Sequence, residues 1–328
     1  MATLFVTGGS GFVGGHLVAR LLREGHEVRV LTRERARVVA GAQAVVGELL
    51  EPESYRQAMA GCERVFHAAA AITFRAAAFP QAFQVNVEGT RAVVDTARAV
   101  GVKCFIHLSA CAVLGVSSSP ERLLDETASA SLGANQPYAL TKKLAEDLLL
   151  ERGRRGLDVR IARFSTVYGP GDARMNSGSI LRTVQKGMLA VPPGGTSYIG
   201  VGDLVEGLLA IAERGRAGES YILSGGNLTY RELTRRIADV LGVAPPRWTL
   251  PALAYGPLLA AAWLASRLRR DDPQAVELLT PSIVREIFRY KYFSTAKAER
   301  ELGWQPRQSL EESVAAAVTW YREHHLLP

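Results

Sequence analysis

The sequence predicts an α/β protein: a doubly wound parallel sheet with helices on both faces and a smaller C-terminal domain. Three observations lead there. A strand-like run, Thr3 to Thr7, passes straight into the turn Gly8-Gly9-Ser10-Gly11-Phe12-Val13-Gly14 and an apolar helix, Phe12 to Leu22. Apolar strand-like runs recur at 3–7, 27–32, 43–46, 64–67, 104–109 and 158–164, alternating with amphipathic helical stretches at 12–24, 53–60, 81–100 and 137–152. Gly25, Gly61, Gly101 and Gly156 each stand at a helix end before a strand, where a C-terminal cap belongs.

The glycine-rich turn carries chemistry as well as geometry. Glycines at 8, 11 and 14 let the backbone turn tightly, approach a pyrophosphate closely and pack the helix on its strand. The helix then offers unpaired N–H groups and the positive end of its dipole to phosphates. Its place after a strand and before a helix points to a dinucleotide site. The alternation changes after Tyr168-Gly169-Pro170-Gly171. Residues 1–170 read as the dinucleotide-binding domain, and helix 203–214 with strand 219–224 returns 201–224 to it. Residues 171–200 and 225–328 are richer in loops, prolines and helices and form the smaller domain.

Composition excludes several classes. A chain of 328 residues, 48% hydrophobic and 22% charged, is ordinary for a globular protein. Its formal charge of +7 rests mainly on scattered arginines, without a basic tail or interleaved aromatics, so nucleic acid is not an expected partner. Cys62, Cys104 and Cys111 have neither metal-ligand nor redox-pair spacing and fit a reducing cytoplasm. No leader of the secretory kind precedes the first strand. The apolar stretch Leu250 to Leu264 is too short, and too interrupted by Pro251 and Pro257, to span a bilayer. Arg267, Arg269 and Arg270 follow it and leave peripheral membrane contact open.

The second chemical element is Tyr138-Ala139-Leu140-Thr141-Lys142. Residues four apart on a helix share a face, so phenol and ammonium project together. A neighbouring cation favours phenolate, which would lower the tyrosine pKa toward neutrality and make it a proton donor and acceptor.

Taken together, the chain resembles the extended short-chain dehydrogenase/reductase family, within the NAD-dependent epimerase/dehydratase superfamily. The resemblance rests on the glycine loop, Val65-Phe66-His67-Ala68-Ala69-Ala70, Asn86-Val87-Glu88-Gly89-Thr90, the tyrosine–lysine pair, Arg163 to Gly171, and Leu302-Gly303-Trp304-Gln305-Pro306. It implies a Rossmann domain with a C-terminal substrate-binding domain. It implies Tyr138 as general acid or base, and Lys142 as the residue that lowers its pKa and binds ribose. Asn86 either orders its helix or a relay water, or makes a structural hydrogen bond. Ser10, Phe12, Val13, Ala68, Ala69, Ala70 and Phe164 would lie along the cofactor, and His67 shapes the strand end beside it.

One departure stands out. The family usually has serine or threonine where Leu108-Ser109-Ala110-Cys111-Ala112-Val113-Leu114-Gly115 has Ala110. Loss of one hydrogen-bond donor to a developing oxyanion is worth about 10²–10³ in rate. Strand alternation points Ser109 to the opposite face. A local twist lets Ser109 serve, or the Cys111 thiol donates weakly, or the substrate is held otherwise.

After the second strand, Thr32-Arg33-Glu34-Arg35 places Arg33 where an arginine accommodates a 2′-phosphate and an acid would grip a 2′-hydroxyl. NADP is therefore the expected cofactor, with NAD the alternative. Glu48-Leu49 stands where the family commonly has Asp-Leu beside the adenine. Thr196-Ser197-Tyr198-Ile199-Gly200-Val201-Gly202-Asp203 lacks the arginine with which sugar-nucleotide enzymes of the family hold diphosphate. The chain is closer to the dihydroflavonol 4-reductase-like and 3β-hydroxysteroid dehydrogenase-like branch, which implies an apolar or polycyclic ketone or secondary alcohol. A helix at 252–266 would suit such a ligand. The expected activity is NAD(P)-dependent hydride exchange with that substrate. A sugar epimerase or dehydratase and a non-catalytic NADP-binding sensor or scaffold are the alternatives. Family members often dimerise through two helices, here 81–100 and 137–152, so a homodimer is expected.

Overall fold

The structure, a computed structural model, describes residues 1–268 and 280–327. Arg269 and Arg270 lie outside the described residues. The first half runs β1 (Thr3–Thr7), α1 (Phe12–Arg23), β2 (Glu27–Thr32), β3 (Gln43–Val46), α2 (Arg56–Met59), β4 (Arg64–His67), α3 (Phe79–Phe83), α4 (Gly89–Ala99), β5 (Cys104–Ala110), α5 (Pro137–Gly153) and β6 (Asp158–Phe164). The second runs β7 (Thr166–Tyr168), α6 (Gly178–Gln185), β8 (Ala190–Val191), β9 (Gly195–Gly200), α7 (Val201–Arg214), β10 (Ser220–Leu223) and β11 (Gly226–Thr229). It ends with α8 (Tyr230–Leu241), β12 (Trp248–Thr249), α9 (Tyr255–Leu268), α10 (Pro281–Ile287), α11 (Ala296–Leu302) and α12 (Leu310–Glu323).

Seven parallel strands form one sheet in the order β10-β6-β5-β4-β1-β2-β3. The chain moves outward from β1 to β3 on one side and resumes at β4 on the other. Strand order therefore reverses between β1 and β4, and the crevice at their carboxyl ends is where such sheets bind ligands. Side chains alternating along each strand build two cores. Leu4, Val6, Val28 and Val30 pack with Leu17, Val18 and Leu21 of α1 and Leu204 and Leu208 of α7. Phe5, Val65 and Phe105 face the other way, against Val93 and Val94 of α4 and Leu149 of α5.

A second layer covers the carboxyl end of the sheet. Strands β11-β9-β7 make a small sheet, and α6, α8 and α12 close on it through Leu181, Leu233, Ile237, Val314 and Val318. The C-terminal segment does not stay in this layer. Ala298, Leu302 and Trp304 enter the core beneath the large sheet. Trp304 Nε1 donates to the Asp203 carbonyl at 3.1 Å, and the Asp203 carboxylate accepts the backbone N–H groups of Arg307 (2.8 Å) and Gln308 (2.7 Å).

Three expected helices change shape. The stretch 81–100 divides into α3 and α4 around a widened π-type turn at Gln84–Glu88. The stretch 53–60 yields a proline-started 3₁₀ turn and only one turn of α-helix. The stretch 252–266 begins as a 3₁₀ turn and is α-helical from Tyr255.

The glycine turn is tested by substitution. A Cβ at Gly14 would drive into the Gly8 carbonyl, whereas one at Gly15 has 3.7 Å of clearance to the Gly9 carbonyl. We expect Gly14→Ala to lose about 2–4 kcal/mol and Gly15→Ala to be neutral or stabilising, read by urea unfolding.

Candidate active site

The cradle at the β1–β4 switch is built from close backbone packing. Gly8 has φ +70°, and a Cβ there would sit 2.6 Å from the Ala69 nitrogen, so only glycine lets the loop lie against the chain leaving β4. Gly11 is the N-cap of α1 in extended conformation, with no side-chain cap. Nothing acidic occupies the first turn. The first-turn N–H groups, with Ser10 and Gly11 exposed before them, are thus open to an anion at the mouth of the crevice. Ala68, Ala69 and Ala70 run half-buried along the same edge, and Phe12 and Val13 begin the helix. These residues fit a dinucleotide pyrophosphate.

A buried chain of polar groups ties this cradle to α5. Thr7 Oγ1 meets His67 Nδ1 at 2.7 Å, and His67 Nε2 meets Thr90 Oγ1 at 2.9 Å. Thr90 Oγ1 donates to the Asn86 carbonyl at 2.6 Å, so it must accept from His67 Nε2. Burial, with Lys142 nearby, holds the His67 pKa down to about 3, so the ring is neutral, its proton on Nε2 and its Nδ1 accepting from Thr7. The Asn86 amide nitrogen donates to Ala71 O and Thr141 Oγ1, both at 2.9 Å, while its oxygen accepts from Ala71 N at 2.7 Å. Thr141 Oγ1 donates to the Pro137 carbonyl at the start of α5. Asn86, named above as a catalytic candidate, has its amide committed to Ala71 and Thr141. It positions the 71–78 loop and α5, and the widened turn at 84–88 delivers it there.

Tyr138 and Lys142 lie in the first turns of α5, started by Pro137. Lys142 Nζ donates to the Leu108 carbonyl at 2.7 Å, within β5. Burial pushes its pKa down to about 8, partly offset by Glu146. Tyr138 departs from expectation. Burial, with Cys111 beside it, raises the phenol pKa above its ordinary value. The expected lowering is absent, because burial penalises the phenolate. Phe74 stands edge-on to the Tyr138 ring at 6.2 Å and is more than half exposed, with Ile72 exposed beside it.

Ala110 ends β5 with no hydroxyl, paired with Phe164 of β6. Ser109 shares the opposite strand face with His107 and Phe105. It is fully buried, and its Oγ has no hydrogen-bond partner among the described residues. No local twist brings Ser109 to the face of Ala110, so its catalytic candidacy is corrected to a buried position. The Cys111 thiol lies against the Arg163 carbonyl at 3.4 Å, and burial raises its pKa well above the usual value. Arg163 itself is locked to Glu146 (2.7 Å) and to the Glu126 carbonyl (3.0 Å).

At the adenosine end, Glu34 is bound by Arg37 at 2.9 Å, while the exposed Arg33 has no ion-pair partner among the described residues. Leu49 is half-buried, its methyl against Gly89, and Glu48 is exposed beside it. Phe164 packs partly buried on the α1–α7 core. The sequence reading did not single out Thr7, Thr90, Thr141 or Phe74. Thr7 ends β1 and Thr141 stands inside the tyrosine–lysine interval, which were usable signals; Phe74, in an irregular loop, offered none.

The sequence profile of the NAD dependent epimerase/dehydratase family matches residues 4–224. The chain belongs to that family. Sterol demethylase protein B of Methylococcus capsulatus is 30% identical over 99% of this chain and 100% of its own. A 3-beta-hydroxysteroid dehydrogenase of Mycolicibacterium neoaurum is 30% identical over 98% and 92%. Among solved structures, that of gox2253 superposes with a TM-score of 0.85 at 32% identity, all of both chains covered. This epimerase/dehydratase-family chain is an NAD(P)-dependent oxidoreductase of the extended short-chain type.

Burying Lys142 has a measurable cost. Its folded pKa lies below the unfolded value, so the unfolded chain binds more protons between about pH 8 and 10.5, and this group makes stability rise with pH across that window. The difference is about 3 kcal/mol. Lys142→Met is therefore expected to melt no lower than the parent at pH 7, with the gap in unfolding free energy shrinking toward pH 10. A melting temperature several degrees lower at pH 7 would contradict it.

Proposed function

We propose that the protein reduces an apolar ketone with NADPH, Tyr138 donating the proton to the carbonyl oxygen. The observation that carries the substrate class is the exposed Phe74 ring set edge-on against Tyr138 with Ile72 beside it. A flat or branched hydrocarbon next to the carbonyl gains burial there, at about 25 cal/mol per Å² of apolar surface removed from water. The nicotinamide supplies the hydride when bound. Tyr138, kept protonated by burial, is in the state that an acid needs before reduction. Lys142, held under the end of β5, would bind ribose hydroxyls and restore the phenol proton. Because Ala110 donates nothing, the carbonyl oxygen would depend on the Tyr138 hydroxyl alone.

NADP is preferred on the same grounds of charge. Glu34 already pairs with Arg37, while Arg33 has no ion-pair partner among the described residues and is free to meet a 2′-phosphate. The diphosphate arginine of sugar-nucleotide enzymes has no counterpart on β9, where Ser197 Oγ lies 2.6 Å from the Lys291 carbonyl.

The test is turnover of NADPH with a panel of apolar ketones, including 3-oxosteroids and long-chain 3-oxo acids. Tyr138→Phe should lower kcat by about 10²–10⁴ without changing the Kd for NADPH. Arg33→Ala should weaken NADPH about tenfold or more and leave NADH unchanged. NAD⁺ retained through purification, with turnover of sugar nucleotides and none of apolar ketones, would overturn the proposal.

A further inference from the structure

Chain segment 247–267 presents an apolar surface that nothing in the described fold covers. Leu253 is 89% exposed, Trp248 70% and Trp263 53%, with Leu264 exposed next to it. Leu189 joins them, because the Trp248 N–H donates to its carbonyl. Single exposed apolar residues are common on any surface, but a contiguous group marks an interaction site. The chain has four tryptophans; Trp304 is buried and Trp320 half-buried, and the two exposed ones both lie here. On α9 the exposed positions 256, 257, 260, 261, 263, 264 and 267 spread over the side away from the fully buried Ala262, and Leu253 is exposed in the turn before it.

Charge identifies the occupant. Neither 173–202 nor 240–268 contains an aspartate or glutamate, in a chain that has 32 acidic residues. Arg247 and Arg267 within the segment, and Lys186 three residues before Leu189, are exposed and form no ion pair among the described residues. Arg267 stacks on the Trp263 ring, 3.9 Å from its centroid. A second copy docking face to face would bring these cations together with no acid to pair them among the described residues of 240–268. An anionic bilayer supplies the missing phosphates, accepts tryptophan at headgroup depth and takes the leucines below it. At 14 residues, α9 is about 21 Å long and too short to span, so it would lie flat.

We infer that the protein docks peripherally on anionic phospholipid membranes through α9 and the neighbouring Trp248 strand. Docking follows from this surface alone and does not depend on the proposed substrate, although a membrane-dissolved ketone would then be within reach. Binding is read without turnover, so failure here and failure of the reductase reading are separate results.

The experiment is co-sedimentation of the full chain with vesicles of phosphatidylcholine alone, or mixed with phosphatidylglycerol, at low and high salt. We expect binding to the mixed vesicles, weaker binding to phosphatidylcholine, and a blue-shifted tryptophan emission that Trp248→Phe/Trp263→Phe abolishes. Leu253→Ser/Trp263→Ser and Arg247→Glu/Arg267→Glu should each lower partitioning about tenfold or more, with circular dichroism and NADPH affinity unchanged. Three outcomes would overturn the inference: no binding to the mixed vesicles, equal binding to both vesicle types regardless of salt, or a solution dimer that Leu253→Ser/Trp263→Ser dissociates.

Discussion

The site depends on one buried run of polar groups: Thr7, His67, Thr90, Asn86 and Thr141. Each member has its donors and acceptors assigned by its neighbour, so no link reverses without leaving a buried group unpaired. An unpaired buried group costs about 1–3 kcal/mol. The run crosses from the end of β1 through β4 and α4 to the first turn of α5. It therefore fixes the distance between the phosphate cradle and Tyr138. A neutral His67 is essential to it: protonation would place a second donor against the Thr7 hydroxyl and a charge beside Lys142.

Around that frame the electrostatics favour function over stability. Lys142 is buried, donates to the Leu108 carbonyl and is only partly compensated by Glu146, so that it titrates near 8. His107 has no partner for either ring nitrogen among the described residues, and stacks on His67 at 5.4 Å. Ser109 adds an unpaired hydroxyl on the same strand face. These losses concentrate at β5, under the proposed proton-transfer pair. The Ser165 hydroxyl, just past β6, is also buried without a partner among the described residues, whereas Arg163 pairs with Glu146 and the starts of α8 and α12 are capped. Such a division is expected when strain is retained only where chemistry needs it.

Much of the fold was legible because its signals are local and repeat. Strand period, glycine at helix ends and the turn at 8–14 each follow from backbone geometry within a few residues. What was not legible arises from contacts distant in sequence. The widened turn at 84–88 exists because Asn86 reaches Ala71, fifteen positions away. The return of Trp304 to the sheet-side core depends on Asp203. Spacing places the lysine on the same helical face as Tyr138 but says nothing of the burial that raises the phenol pKa. Phe74 lies in an irregular loop, where no periodicity marks an inward or outward face.

Ala110 and the raised Tyr138 pKa belong to one argument. With two hydroxyl donors, a carbonyl oxygen can be polarised by the first while the second titrates near neutrality. With the first reduced to a methyl, all polarisation falls on the phenol, and a phenolate would donate nothing. A reductase built this way needs its tyrosine protonated before the transfer, and the desolvation that raises the phenol pKa favours that state. The same desolvation opposes the phenolate that forms as the proton leaves, so the proposed chemistry would depend on Lys142 and the bound cofactor to stabilise it, with the tyrosine–lysine spacing that the sequence displays unchanged.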